Sequence, residues 1–444
     1  MYKKIALSLA AAVFFTACSV NDYNLKSPSN LTENVSHSSI YYKDIFEDKN
    51  LTYLLDVALL NNEDLLIAAK NLQIANSYLK QAKIDRQPSI NAKAGASVSK
   101  TFDSSKAQNS ENLGLSLSYQ LDLFSKLSNA QEVKNLQAQK STFDLLSAKQ
   151  LVTYNIAKTY FNIINSNKNI KILENYAKSY EVTLKLREEE YNVGSITKSV
   201  FLQTKDQYSK IQTQLKDLIM QRDLYVNALK ILVFGLNTSM QINYSDDIYF
   251  TYDLPSSIPS EIMTNRPDIA KAILDVKIAH KNAQIAKASF FPSFNIAAGI
   301  TSGASDFDFA TPAASLGIDI LQPLFNLSKN KQELNVANLT QDISVLTYEK
   351  VVKTALNEVN DAIIKYNNAT TKLADYDEII ENEKEIYSLN KTEFDEGGIS
   401  FLEFLDSERN LQNSLMEQNN LFLAKVLAAL DAYNAIGAIK FDNE

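Results

Sequence analysis

The chain has 444 residues with 44 basic and 52 acidic side chains, a net charge of −8, two histidines and one cysteine. An acidic balance gives nucleic acid no electrostatic grip, and His37, His280 and one thiol cannot assemble the common zinc, haem or iron–sulfur ligand sets. No phosphate-binding glycine loop, Ser-His-Asp set or zinc-ligand spacing is present, so no enzyme, cofactor or metal is expected.

Residues 1–17 read as an export signal. Lys3 and Lys4 form a charged start, and the apolar run from Ile5 to Phe15 is too short to span a bilayer. Phe15-Thr16-Ala17-Cys18 ends the run where a bacterial lipoprotein signal is acylated, although Phe15 replaces the usual Leu. Cys18 is therefore the expected lipidation site, and Ser19 in place of Asp points to outer-membrane sorting. Loss of the signal with its two lysines takes the net charge from −8 to −10. A lipidated Cys18 leaves no thiol for a disulfide, so stability must come from packing. Residues 18–50, polar and rich in Ser and Asn, read as a lipid anchor and surface tether.

From there the chain is written twice. Residues 61–95 align without a gap on 265–299, placing Asp64 on Asp268, Ala75 on Ala279 and Pro88 on Pro292. The tandem copies stay in step to the turns, where 191–197 fall on 394–400. The first copy covers 51–235, a linker 236–260, the second copy 261–437 and a tail 438–444. Each copy opens with a helix, Leu51 to Gln87 and Asn265 to Phe291, that stops near Pro88 or Pro292, since proline lacks the donor an interior helical residue needs.

Strands are expected at about 89–101 and 111–123, and again at about 293–303 and 313–322. Leu113, Leu115, Leu117, Tyr119 and Leu121 alternate with Gly114, Ser116, Ser118, Gln120 and Asp122, and the second copy sets Leu316, Ile318 and Ile320 against Gly317 and Asp319. This alternation suits tilted strands crossing a bilayer, apolar towards lipid and polar towards a lumen. Asp122 and Asp319 are thus candidate pore-lining residues. Four strands cannot close alone, because the smallest membrane barrels use about eight and an open edge in lipid leaves backbone groups unpaired. Closure must come from other copies of the chain.

Two long helices follow, about 125–193 and 328–396, without Pro or Gly. In the second, Val352, Ala355, Val359, Ala362, Tyr366, Ala369, Leu373, Tyr376 and Ile380 keep the three-four spacing of a coiled-coil seam. Turns at Gly194 and at Gly397-Gly398 lead into returning helices, Thr197 to Phe234 and Ser400 to Ile436. A tall antiparallel bundle is expected, with those turns as tips farthest from the strands.

Arg266-Pro267-Asp268, the alanines Ala279, Ala283, Ala286 and Ala288 running into Phe290-Phe291-Pro292-Ser293, and the tip turns followed by Phe201-Leu202 and Phe404-Leu405-Asp406 carry a family resemblance. From about residue 45 to 437 the chain resembles the TolC-like outer-membrane factors, in their lipoprotein branch. Ile273 departs where family members often carry Glu. The resemblance implies a mostly α fold with a membrane β-barrel: a long α-helical barrel of antiparallel coiled coils, above which each chain of a homotrimer lends four strands to a twelve-stranded barrel. An equatorial belt would use 19–49, 236–260 and the C-terminus. It also implies a passive exit duct of a tripartite efflux pump in the Gram-negative outer membrane. A periplasmic adaptor and an inner-membrane pump of the resistance-nodulation-division type would be its partners, the adaptor meeting Gly194, Gly397 and Gly398. A type I secretion outlet and a structural coiled-coil lipoprotein are the alternatives. By family position, Leu402, Glu403 and Asp406 form the periplasmic gate, and Ile399 replaces an arginine latch found in some relatives. Six carboxylates around a narrow axis would bind cations and resist complete ionisation.

Overall fold

The computed structural model describes residues 40–41, 45–100, 108–235, 241–248, 266–305, 308–309, 311–325, 327–437 and 439–440. Cys18, the signal and most of the tether and linker lie outside them. In chain order the elements are β1 (Ile40–Tyr41), α1 (Lys49–Asn61), α2 (Glu63–Ile84), β2 (Ser89–Ser99), β3 (Gln108–Leu121), α3 (Lys126–Asn192) and α4 (Lys198–Phe234). There follow α5 (Pro267–Ala288), β4 (Ser293–Ser305), β5 (Asp308–Phe309), β6 (Ala313–Leu321), α6 (Leu327–Asp395), α7 (Phe401–Ile436) and β7 (Ile439–Lys440). Two compact units form, and each draws on both copies of the repeat.

The first unit, whose described parts lie in Ala69–Asp144 and Asp268–Val351, holds the sheet. β2, β3, β4 and β6 pair in that order, all antiparallel, and β5 folds back on the end of β4. Register converts local alternation into a two-faced sheet. Ala92, Leu115, Ile300 and Ala314 form one row across it, and Ile90, Leu117, Ala298 and Leu316 the next apolar row. Between them Asn91, Ser116, Gly299 and Ser315 share the opposite face. Every residue of β6 and all but one of β2 are exposed, so these edge strands find no cover within the described chain.

α2 and α5 each end a few residues before Pro88 or Pro292, and β2 and β4 begin directly after those prolines. Small side chains let α5 pack closely, with Val276 and Ala283 fully buried and Ala279 nearly so. Lys140 pairs with Asp275 at 2.6 Å and Lys271 with Asp144 at 3.1 Å. Half-buried His280 bonds Gln341 of α6 at 3.2 Å and Gln284 at 3.0 Å.

The second unit, within Asn30–Ala68, Leu145–Pro267 and Val352–Glu444, holds the main apolar core. Leu51, Leu54, Leu55 and Ala58 of α1 pack with Ile156, Tyr160, Phe161 and Ile164 of α3, Leu229 and Val233 of α4, and Val426 and Leu430 of α7. Tyr160 donates to Asp48 Oδ2 at 2.8 Å, and Asp48 Oδ1 caps α1 through the Asn50 and Leu51 amides. Of the expected seam, Ala355, Val359, Ala362, Tyr366, Ala369 and Ile380 are buried and Val352, Leu373 and Tyr376 half-buried, and Val359 and Tyr366 meet α7 at Ala435 and Ala428.

Two expectations need correcting. The helix expected over 51–87 breaks at Asn62, whose Oδ1 accepts from the Asp64 and Leu65 amides while its own N–H bonds Ala58 O. One asparagine thus closes α1 and opens α2, an N-cap role that needs neither Pro nor Gly. Strand ends also shift, since β3 starts at Gln108 and stops at Leu121, leaving Asp122 off the strand. Its carboxylate accepts from the Leu127 and Ser128 amides at 2.9 and 2.7 Å, so Asp122 caps α3. Asp319 stays within β6, paired with Asn295 on the polar face.

Candidate functional site

Both hairpin turns stop their helices in the same way. Gly194 and Gly397 share φ +81°, the left-handed conformation that L-residues adopt at a cost. Gly194 N bonds Tyr191 O and Ser195 N bonds Glu190 O, while Gly397 N bonds Phe394 O and Gly398 N bonds Glu393 O. These paired bonds satisfy the last carbonyls of α3 and α6. No atom lies within 4 Å of where a Cβ would stand on either Gly194 or Gly397, so φ rather than space demands the glycines.

The returning helices start differently. Thr197 caps α4 through the Val200 amide at 3.4 Å. Ser400 caps α7 through the Glu403 amide at 3.3 Å, and Glu403 Oε2 accepts from Ser400 N at 2.8 Å, completing a reciprocal box that Val200 cannot make. The bond from the Ser400 amide, with that from its side chain, holds the Glu403 carboxyl below its ordinary range. Within one chain, Glu403 therefore favours ionisation. Asp406 pairs with Arg409 at 2.8 Å, and Leu402 is 51% exposed. Leu402 and Asp406 line a groove of ≈ 280 Å³ with Tyr176, Tyr180, Gln207 and Lys210.

Two further residues gather at this end without having been singled out. Glu408 is 5% exposed, and Ser179 Oγ donates to its Oε1 at 2.8 Å. Its signal lay in spacing, because Leu405, Glu408 and Leu411 occupy successive positions of the apolar stripe of α7. Burial pushes the Glu408 carboxyl up, against weaker opposing effects of Ser179 and Lys391. A carboxyl raised on folding stabilises the fold below its unfolded value of about 4.3 and loses that contribution as pH climbs through the folded value. Glu408→Gln is expected to raise the melting midpoint of the purified protein at neutral pH and flatten its dependence as pH rises above about 4. A midpoint as pH-dependent as that of the unaltered protein would refute this.

Arg187 is the second. Its guanidinium carbon stands 3.7 Å from the Phe401 ring centroid and 5.9 Å from that of Phe394, and Nη1 bonds Glu190 at 2.7 Å. It sits in the charged run Leu186-Arg187-Glu188-Glu189-Glu190, which reads as a solvated face until the distant aromatic partners are placed.

Comparison with known proteins gives one coherent set of similarities. The family model described as "Outer membrane efflux protein" matches residues 54–233 and 258–438. A Pseudomonas putida protein named "Solvent efflux pump outer membrane protein SrpC" is 28% identical over 409 residues, covering 89% of this chain and 86% of that protein. A Salmonella typhimurium protein named "Probable outer membrane lipoprotein SilC" is 25% identical over 419 residues, 93% of this chain and 91% of that one. The fold matches the crystal structure of the Campylobacter jejuni CmeC outer membrane channel with a TM-score of 0.86 at 24% identity, over 93% of this chain and 90% of that one.

Proposed function

Because the chain belongs to the outer membrane efflux protein family, we propose that three copies close their sheets into one barrel and their helices into a duct for small toxic compounds. The family is one of efflux ducts, and the chain's place is the Gram-negative outer membrane. The observation that carries the reading is the sheet: four strands with in-register apolar rows on one face and both edge strands, β2 and β6, uncovered. An amphipathic sheet with free edges is stable in lipid only when neighbours complete it. In the assembly β2 of one copy adjoins β6 of the next. The relative named as an outer membrane lipoprotein supports a lipid on Cys18, which assists the barrel without replacing it.

Transport is passive. An inner-membrane pump supplies the energy through a periplasmic adaptor that meets the turns at Gly194 and Gly397-Gly398. Asp319 lies on the polar face and lines the pore. Leu402, Glu403 and Asp406 surround the periplasmic entrance, where Leu402 supplies apolar closure and the two acids bind cations.

Single-channel recording in planar bilayers tests this reading. Leu402→Ala with Glu403→Gln and Asp406→Asn is expected to raise resting conductance and weaken block by divalent cations, and Gln at 403 retains the capping geometry. Unchanged conductance and cation block would place the gate elsewhere, and protein that forms no pore at all would sink the duct itself.

A further inference from the structure

We propose that Arg187 is the latch of the tip: a buried guanidinium on the first copy's long helix grips the start of α7 through Phe401, joining the two hairpins of one chain and holding the resting leak low. This rests on the reading of the tip as the channel's gated end.

Three observations carry it. Arg187 is 8% exposed, an expensive place for a cation unless its charge is met. Glu190 meets that charge from the same helix at 2.7 Å, so the face of the guanidinium is left for Phe401 at 3.7 Å. Among the described residues Nε has no hydrogen-bond partner, so the contact the side chain makes with α7 is the ring stacking on Phe401.

The ring it grips is itself held. Phe401 lies 5.7 Å from Phe394, which stacks on Phe404 at 5.2 Å and 10°. In the first copy Tyr191 and Phe201 form the equivalent stack at 5.3 Å and 6°. The aromatic pair closing each hairpin is thus duplicated. The latch is not: the repeat places Asn390 where the first copy has Arg187, and Lys198 where the second has Phe401. The two residues that touch therefore both stand at positions where the copies differ. A single change at either end removes the contact while leaving both hairpin stacks in place.

Beside the apolar core they share, α3 and α7 also meet through a series of polar rungs. Ser179 with Glu408, Asn165 and Asn169 with Asn420, and Tyr154 with Asp431 succeed one another away from the tip. Arg187 closes this series at its free end through Phe401, the residue before Leu402.

The test uses the full-length channel, purified and reconstituted in planar bilayers, with trimer mass and melting midpoint as controls for folding. Arg187→Ala and Phe401→Leu are each expected to raise open probability about two- to thirty-fold, the range that a lost cation–π contact allows. The double variant is expected to leak no more than either single one. Phe401→Tyr, which keeps the ring face, is expected to behave as the unaltered protein. If Arg187→Ala keeps the resting leak while the Leu402, Glu403 and Asp406 variant raises it, the gate stands and the latch is wrong. If Phe401→Tyr leaks as much as Phe401→Leu, the ring face is not what Arg187 uses and the proposal is overturned. If neither Arg187→Ala nor the gate variant leaks, latch and gate fall together.

Discussion

Leu115→Arg is expected to abolish channel assembly, whereas Ser116→Arg, one residue along, is expected to leave assembly intact and shift ion selectivity towards anions. Both lie near the middle of β3 and both are exposed in the single chain. They differ in face: Leu115 joins Ala92 and Ile300 in an apolar row, and Ser116 joins Asn91 and Gly299 in a polar one. An arginine facing lipid at the bilayer midplane costs about 2–4 kcal/mol. In the proposed trimer three copies bring that to roughly 6–12 kcal/mol for the barrel, comparable with the whole stability of an ordinary domain. An arginine facing the lumen stays hydrated. The mass of detergent-extracted protein and its outer-membrane yield check the first variant, and reversal potentials in a salt gradient check the second. Equal behaviour of the two would mean that the faces are assigned wrongly.

Arg266→Ala is expected to destabilise the second unit by about 2–4 kcal/mol. Arg266 stands just before α5, buried, and donates to Ala435 O at 2.5 Å near the end of α7 and to Glu358 of α6 at 2.7 Å. One guanidinium therefore satisfies a helix-end carbonyl and pairs a carboxylate on a second helix. Gly437 ends α7 at φ +69°, and a Cβ there would stand 3.0 Å from Arg266 Cα. Gly437→Ala is accordingly expected to disturb the same joint, and the two substitutions together are expected to cost less than their sum. Arg266→Lys retains a charge but cannot present the planar fork, so partial rescue is expected. Apparent melting midpoints of the purified channel decide it, and a loss below about 0.5 kcal/mol for Arg266→Ala would show the joint to be dispensable.

These residues also show what a sequence makes legible. Four strands, both long helices and both tip turns were readable because each depends on a local pattern: alternation, three-four spacing, or a glycine where φ must be positive. The break at Asn62 was not, because an asparagine that caps two helices at once leaves no Pro or Gly to mark it. Asp122 continued the strand's alternation by type, yet its carboxylate is drawn to the amides opening α3. Glu408 was visible as a charge in an apolar stripe. Arg187 was hidden, since its meaning depends on Phe401, in the other copy of the repeat.

The sheet has a further consequence, for the order in which the chain acquires structure. β2 and β3 form a hairpin within the first copy, but a lone two-stranded hairpin is marginal in water. Its stabilising neighbour is β4, and the contact from Ser118 Oγ to Asn295 Oδ1 joins residues 177 apart in sequence. Pairing at such separation carries a large loop-closure penalty and is slow. The central ladder cannot begin until the second copy has been exported, by which time the first hairpin has long been exposed as an unsatisfied edge. Each new chain therefore passes through an obligatory delay in which its first strands lack their native neighbour and are open to pairing with the wrong one.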